Sequence, residues 1–314
     1  MHAPDTYLET TATVDSRFAS VPTVFFVIGA QKAGTTWLSH YLKTHPQVSV
    51  PEWKEHDYWN MVEGRPHASR MLREQQRRRE EPGGMRSLLG VLPFTLYAKR
   101  QRAITLALNA VAAPHAPYAA YADVILENAD AKTQAAGEIC PEYALLKAET
   151  YASMASLSPN VRFIFLMRDP VARFISGVRH SLRKKAGDAP VSEEMLSKGL
   201  MGYAKPDSRA IALSRYDLTI KALETSVHAD NILYVYFEEL FAQETVERIC
   251  AFLGLSFVPG KVDARANTAG KKPAPVRPED RTVIAGALAP VYDFMRQRSN
   301  RPLPEKWLES AALC

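Results

Sequence analysis

Three runs of the chain are apolar at nearly every position and too short to be helices: Val24-Phe-Phe-Val-Ile28, Val161-Arg-Phe-Ile-Phe-Leu-Met167 and Ile232-Leu-Tyr-Val-Tyr-Phe237. A strand covered on one face alternates, so unbroken runs predict strands of a parallel sheet buried on both faces. Between them the period becomes helical. Trp37, Leu38, Tyr41 and Leu42 recur at one-turn spacing after Thr35, until His45-Pro46 stops the pattern. Val171, Phe174, Ile175, Val178 and Leu182 form a second stripe after Asp169-Pro170, a capping residue followed by proline at the first helical position. Further helical stretches are expected around Ile211 to Val227 and Thr245 to Leu253, the latter closed by Gly254. Gln47 to Val50 reads as a short strand before Pro51.

Strands alternating with helices predict an α/β fold, with a P-loop-like central parallel β-sheet of about five strands flanked by helices on both faces. A chain of 314 residues is long enough for one such domain, expected over residues 21–314 behind a loose polar arm at 1–20. Residues 60–130 are irregular, arginine-rich from Arg65 to Arg79 and broken at Pro82-Gly83-Gly84 and Pro93, and are expected to form an insertion over the sheet. The segment after Gly260 is rich in proline and basic residues and is expected to wrap the surface.

Composition narrows the function classes. The 39 basic and 34 acidic residues leave a net charge of +5, too mild to indicate nucleic acid and compatible with an anionic ligand. Cys140, Cys250 and Cys314 are too widely spaced for a zinc site or a disulfide framework, so no metal is expected. The first 17 residues lack a signal peptide's basic start and apolar stretch, and Ala103 to Ala113 is too short to span a membrane. A soluble, cytoplasmic protein is expected.

The candidate chemistry lies after the first two long strands. Gly29-Ala-Gln31-Lys32-Ala33-Gly34-Thr35-Thr36 joins a buried strand to a helix, placing backbone N–H groups and the positive end of a helix dipole where an anion can sit. The spacing is close to GxxxxGK[ST], but Thr35 stands where that loop has its lysine, and Lys32 lies inside the loop instead. A glycine turn that merely lets a strand enter a helix also explains it. Arg168 ends the second strand, with Ser176 two helical turns on, a forked cation and a hydroxyl suited to a phosphate dianion. The bland readings are an Arg168 paired with Asp169, a Ser176 that permits helix packing, and an Arg173 held in an intrahelical or helix–sheet salt bridge.

Taken together these segments resemble the sulfotransferase family, in its carbohydrate-type and bacterial branches. The loop resembles that family's 5′-phosphosulfate loop, with Thr-Thr-Trp at Thr35-Thr36-Trp37. RDPVARFISGVRH resembles its 3′-phosphate motif, Arg-x-Pro-x-x-Arg-x-x-Ser. Gly137-Glu138-Ile-Cys140-Pro141-Glu-Tyr143 resembles GE-x-TP-x-Y, with cysteine in place of threonine. Tyr216, Ile232 to Leu240 and Phe252-Leu253-Gly254-Leu255 extend the likeness over about residues 22–260.

The resemblance implies transfer of a sulfo group from 3′-phosphoadenosine 5′-phosphosulfate (PAPS) to a hydroxyl or amine of an acceptor. It implies that Gln31, Lys32, Ala33, Gly34, Thr35, Thr36 and Trp37 form the donor loop, with Lys32 on the bridging oxygen and 5′-phosphate. Arg168 and Ser176 take the 3′-phosphate, and Lys271 and Lys272, in Asn267-Thr-Ala-Gly-Lys-Lys-Pro273, close over it; an exposed basic loop is the bland alternative there. Lys54-Glu55-His56-Asp57-Tyr58-Trp59 resembles Lys-Glu-x-x-[Phe/Tyr], making Glu55 the base, with His56 its competitor because histidine as a residue type serves as a base near neutrality. Arg70, Arg73 and Arg77 recur at helical spacing and suit either an anionic acceptor or a solvated face. Asn267 is unassigned. An ATP-using phosphate-loop kinase and a non-catalytic nucleotide- or anionic-glycan-binding protein are the rivals; the acceptor, a carbohydrate, lipid or small metabolite, is not legible.

Overall fold

The computed structural model describes residues 14–52, 54–65, 96–113, 117–187, 189–261, 273–298 and 302–314. Lys271, Lys272, Asn267, Arg70, Arg73 and Arg77 lie outside the described residues, as do the first 13 residues and the breaks at Pro82-Gly83-Gly84 and Pro93.

In chain order the elements are β1 (Thr23–Gly29), α1 (Thr35–Thr44), β2 (Val48–Ser49), α2 (Tyr58–Val62), α3 (Leu96–Ala112), α4 (Ala119–Ile125), β3 (Ala135–Ile139) and α5 (Ala148–Ala155). β4 (Val161–Met167), α6 (Pro170–Ala186), α7 (Glu193–Tyr203), α8 (Arg209–Ala212) and α9 (Tyr216–Ser226) follow. β5 (Ile232–Tyr236), α10 (Gln243–Leu253), α11 (Pro278–Arg298) and α12 (Glu305–Ala311) complete them. The five strands form one parallel sheet in the order β2-β3-β1-β4-β5.

All seven residues of β1 are buried, as the unbroken apolar run requires of the middle strand. Phe26 pairs with Phe163 on β4, their rings 5.6 Å apart. On the other side Phe25 pairs with Gly137 of β3, where a Cβ would collide with the Phe25 carbonyl, so only glycine permits this pairing.

The α6 helix starts as the sequence predicts, with Asp169 Oδ2 accepting from the Ala172 amide at 2.8 Å and Pro170 opening the first turn. The helix expected over Ile211 to Val227 is two helices, because the chain turns at Leu213–Arg215 and the buried Ser214 hydroxyl donates to the Pro170 carbonyl. Ser16–Ser20, assigned to the loose arm, form a 3-10 turn seated by the buried Phe18.

The segment after Gly260 departs most from expectation. Instead of a surface wrap it contains the 21-residue α11, burying Ile284, Leu288, Val291, Tyr292 and Met295, and then α12, burying Trp307. Apolar spacing of three and four residues outweighs the proline and basic content, and Pro290 lies inside the helix. Both helices reach the start of α6. Tyr292 donates to Asp169 Oδ1 at 2.6 Å, and Ser310 to Oδ2 at 3.0 Å. Burial pushes the Asp169 carboxyl up, while these donors and the Ala172 amide act in the opposite sense.

Asp169→Ala removes a helix cap and leaves two buried hydroxyls without their acceptor. It should destabilise the protein by about 3 kcal/mol, measured by urea denaturation, with Asp169→Asn costing less.

Candidate functional site

The loop after β1 turns through two residues with positive φ, Lys32 at 71° and Gly34 at 92°. At Gly34 a Cβ would also strike Leu240, so glycine is required both by conformation and by the close approach to the segment after β5. The loop is tied to β4 by the Ala30 amide, which donates to the Leu166 carbonyl at 2.6 Å. Alternating positive φ at this bend, followed by the first amides of α1, is the geometry of an anion cradle. Thr35 is buried and Thr36 exposed at the helix start. Gln31 is turned to Glu142, donating at 3.0 Å, while Ala33 is fully buried. Trp37 is buried against Tyr41 and Phe241, and its indole N–H donates to the Lys261 carbonyl at 3.1 Å.

Arg168 stands beside this loop because β4 pairs with β1. Its Nη1 donates to the Lys32 carbonyl at 3.4 Å, and its guanidinium lies 4.8 Å from the Phe237 ring centre. Asp169 is not its partner, being engaged by Tyr292, Ser310 and the Ala172 amide. Ser176 is half-buried on α6. Arg173 makes no salt bridge among the described residues, contrary to the sequence reading: its Nη2 donates to the Ala210 carbonyl at 3.0 Å and the side chain is buried.

The electrostatics follow. Burial pushes the Lys32 ammonium below its ordinary pKa, and Arg183, Arg168 and Arg173 push it further, with Glu55 opposing. His180 is lowered by burial, then by Lys32, Arg183 and Lys184. Arg179 is lowered by burial, then by Arg281, Arg183 and Arg168. Sequence reasoning missed Arg179, His180 and Arg183, although they recur three, four and seven residues after Ser176 and so extend its side of α6.

Glu55 and His56 border a cleft of about 190 Å³ between α1 and the chain after β2, with Thr36, Ser39, His40 and Lys43 on its α1 wall. Glu55 has φ 63° and pairs with Lys54 at 3.3 Å. His56 is buried, its Nδ1 lying 3.1 Å from Oε2 of Glu138. The other oxygen, Oε1, accepts from Tyr121 at 2.6 Å and Tyr143 at 2.5 Å. Burial, then the Glu138 carboxylate, pushes both phenols well above their ordinary range. Two sequence signals bear on Glu138: its place in the GE-x-TP-x-Y-like segment, and a carboxylate inside a core strand, β3. Among the described residues no group of three or more His, Cys, Asp or Glu is placed to hold a metal ion.

The structure therefore brings Arg168, Arg173 and Glu55 within electrostatic reach of Lys32, with His56 on the cleft that Glu55 borders. A comparison with curated proteins gave no match. Among solved structures the fold is similar to that of a sulfotransferase from Alicyclobacillus acidocaldarius, at 20% identity over 90% of this chain and 98% of that one, with a TM-score of 0.54. A sulfotransferase domain from the olefin synthase of Synechococcus PCC 7002 matches at 17% identity over 99% of this chain and 96% of that one, with a TM-score of 0.47. The sequence pattern described as the sulfotransferase family matches residues 22–259, most of the chain, and on that match this protein belongs to the sulfotransferase family.

Proposed function

We propose that the protein transfers a sulfo group from PAPS to a hydroxyl or amine of an acceptor of the carbohydrate, lipid or small-metabolite class. The observation that carries this reading is the placement of two anion-suited segments, the Gly29–Thr36 loop and the Arg168–Ser176 segment, after adjacent parallel strands. Nucleotides bind open α/β sheets at such carboxyl ends. Their cations, Lys32 and Arg168, have no carboxylate ion pair among the described residues, which suits them to a ligand with phosphates at both ends of its ribose.

PAPS supplies the sulfo group, whose S–O bond to the 5′-phosphate breaks as the bond to the acceptor oxygen or nitrogen forms. Lys32 and the α1 amide end balance the charge left on the 5′-phosphate, the role magnesium has in a kinase. Glu55 takes the acceptor proton, and His56 borders the same cleft. Arg168 and Ser176 hold the 3′-phosphate, with Lys271 and Lys272 assigned to close over it. The cleft along α1 admits the reacting end of the acceptor.

Incubation with ³⁵S-labelled PAPS and an acceptor extract should yield labelled product, and EDTA should leave the yield unchanged. Lys32→Ala should lower turnover by about 10² to 10³, and Glu55→Gln by about 10² to 10⁴. Full activity in Glu55→Gln with loss in His56→Ala would move the base to His56. Binding of magnesium-ATP in place of 3′-phosphoadenosine 5′-phosphate would support a kinase, and nucleotide binding without transfer to any acceptor a binding protein.

The depressed Lys32 pKa sets the basic limb of nucleotide binding. Affinity needs the ammonium form, so it should fall as pH rises through a value below that of ordinary lysine. Lys32→Arg should carry the limb to higher pH in a titration of affinity against pH. Glu55→Gln removes a charge that raises the Lys32 pKa, and should carry it lower.

A further inference from the structure

Arg173 is 1% exposed, and two of its donors, Nε and Nη1, are buried with no hydrogen-bond partner among the described residues. Its single bond goes to a neutral acceptor, the Ala210 carbonyl. Glu142 is the carboxylate within electrostatic reach, but Glu142 is already held by Arg209 and by Gln31 of the loop. Arg209, Arg168 and Lys32, also within electrostatic reach, are cations, and Tyr216 is a further neighbour. Burial lowers the guanidinium pKa to about 10, so the group remains charged at neutral pH.

A buried cation without a counter-charge is among the costliest features a fold can keep. Arg173 lies one turn before Ser176 on α6 and within electrostatic reach of Lys32, where both anion-suited segments meet. Resting on the PAPS reading, we propose that the counter-charge of Arg173 is the bound nucleotide, and that Arg173 is a positioning residue of the donor site. Buried on α6 within electrostatic reach of Lys32 and Arg168, it draws the nucleotide's phosphates by its field through the low-dielectric interior, without needing to touch them. The same field acts on Lys32, together with Arg183, Arg168 and the opposing Glu55, and Lys32 in turn acts on His180.

This separates stability from binding in a way that an ordinary structural arginine does not. Arg173→Met keeps the approximate volume and removes the charge. Without ligand, its melting temperature should equal or exceed that of the wild type. By calorimetry its Kd for 3′-phosphoadenosine 5′-phosphate should rise at least tenfold, and the basic limb of binding should move to higher pH as Lys32 loses a repelling neighbour. Arg173→Lys keeps the charge and should retain most of the affinity. An Arg173→Met protein that does not fold, melts lower without ligand, or binds the nucleotide as the wild type does overturns the proposal. Inorganic pyrophosphate is titrated in parallel into both proteins. A wild type that binds pyrophosphate but not the nucleotide refutes the PAPS reading, and the Arg173 effect is then read on pyrophosphate by the same criteria.

Discussion

The parallel pairing of β1 with β4 is the constraint on which the site depends. Val24, Phe26 and Val27 lie opposite Val161, Phe163 and Ile164, and both strands are buried along nearly their whole length. That register delivers the Gly29–Thr36 loop and Arg168 to the same edge of the sheet, where the Ala30 amide bonds to Leu166 and Arg168 reaches the Lys32 carbonyl. A shift in that register would displace Arg168 from the loop along the strand direction and separate the two segments. Core packing thus sets the geometry of the proposed anion site, although the core residues have no chemistry of their own.

Around that edge the protein concentrates positive charge and withholds carboxylates. Asp169, nearest in sequence to Arg168, is bound by Tyr292, Ser310 and the α6 amide end, and Glu142 is bound by Arg209 and Gln31. Asp169 and Glu142 thus have structural engagements elsewhere, while Glu55 is the carboxylate that opposes the cations' effect on Lys32. At the cleft the arrangement reverses: Glu55 stands on its border, and Glu138 gathers His56, Tyr121 and Tyr143 in a buried network. Such networks hold side chains in one geometry when their members are satisfied.

Much of this was legible in the sequence because it rests on local rules. Unbroken apolar runs gave away β1, β4 and β5, and Asp169-Pro170 marked the start of α6. The glycines of the loop marked a turn from strand into helix, which the structure makes through Gly34 at φ 92°. What local rules misjudged was partner choice. Asp169 beside Arg168 suggested an ion pair, yet its partners come from helices more than 120 residues away. Arg173 looked like half of a salt bridge, but the nearby carboxylate is claimed by Arg209. The C-terminal helices were hidden by their prolines and basic residues, although Ile284, Leu288, Val291 and Met295 keep a helical period. Glu138 stood in a family-like segment and was a charge inside a strand, but its pairing with His56, 82 positions earlier, had no local signal.

The central claim is that two segments on adjacent strands read the two phosphate ends of one nucleotide. Calorimetry with 3′-phosphoadenosine 5′-phosphate and with adenosine 5′-monophosphate, which differ only by the 3′-phosphate, tests it most directly. A phosphate dianion held by charged hydrogen bonds adds about 3 kcal/mol, so the bisphosphate should bind about 100-fold more tightly, and Arg168→Ala should erase most of the difference. Equal affinity for the two nucleotides would contradict the account.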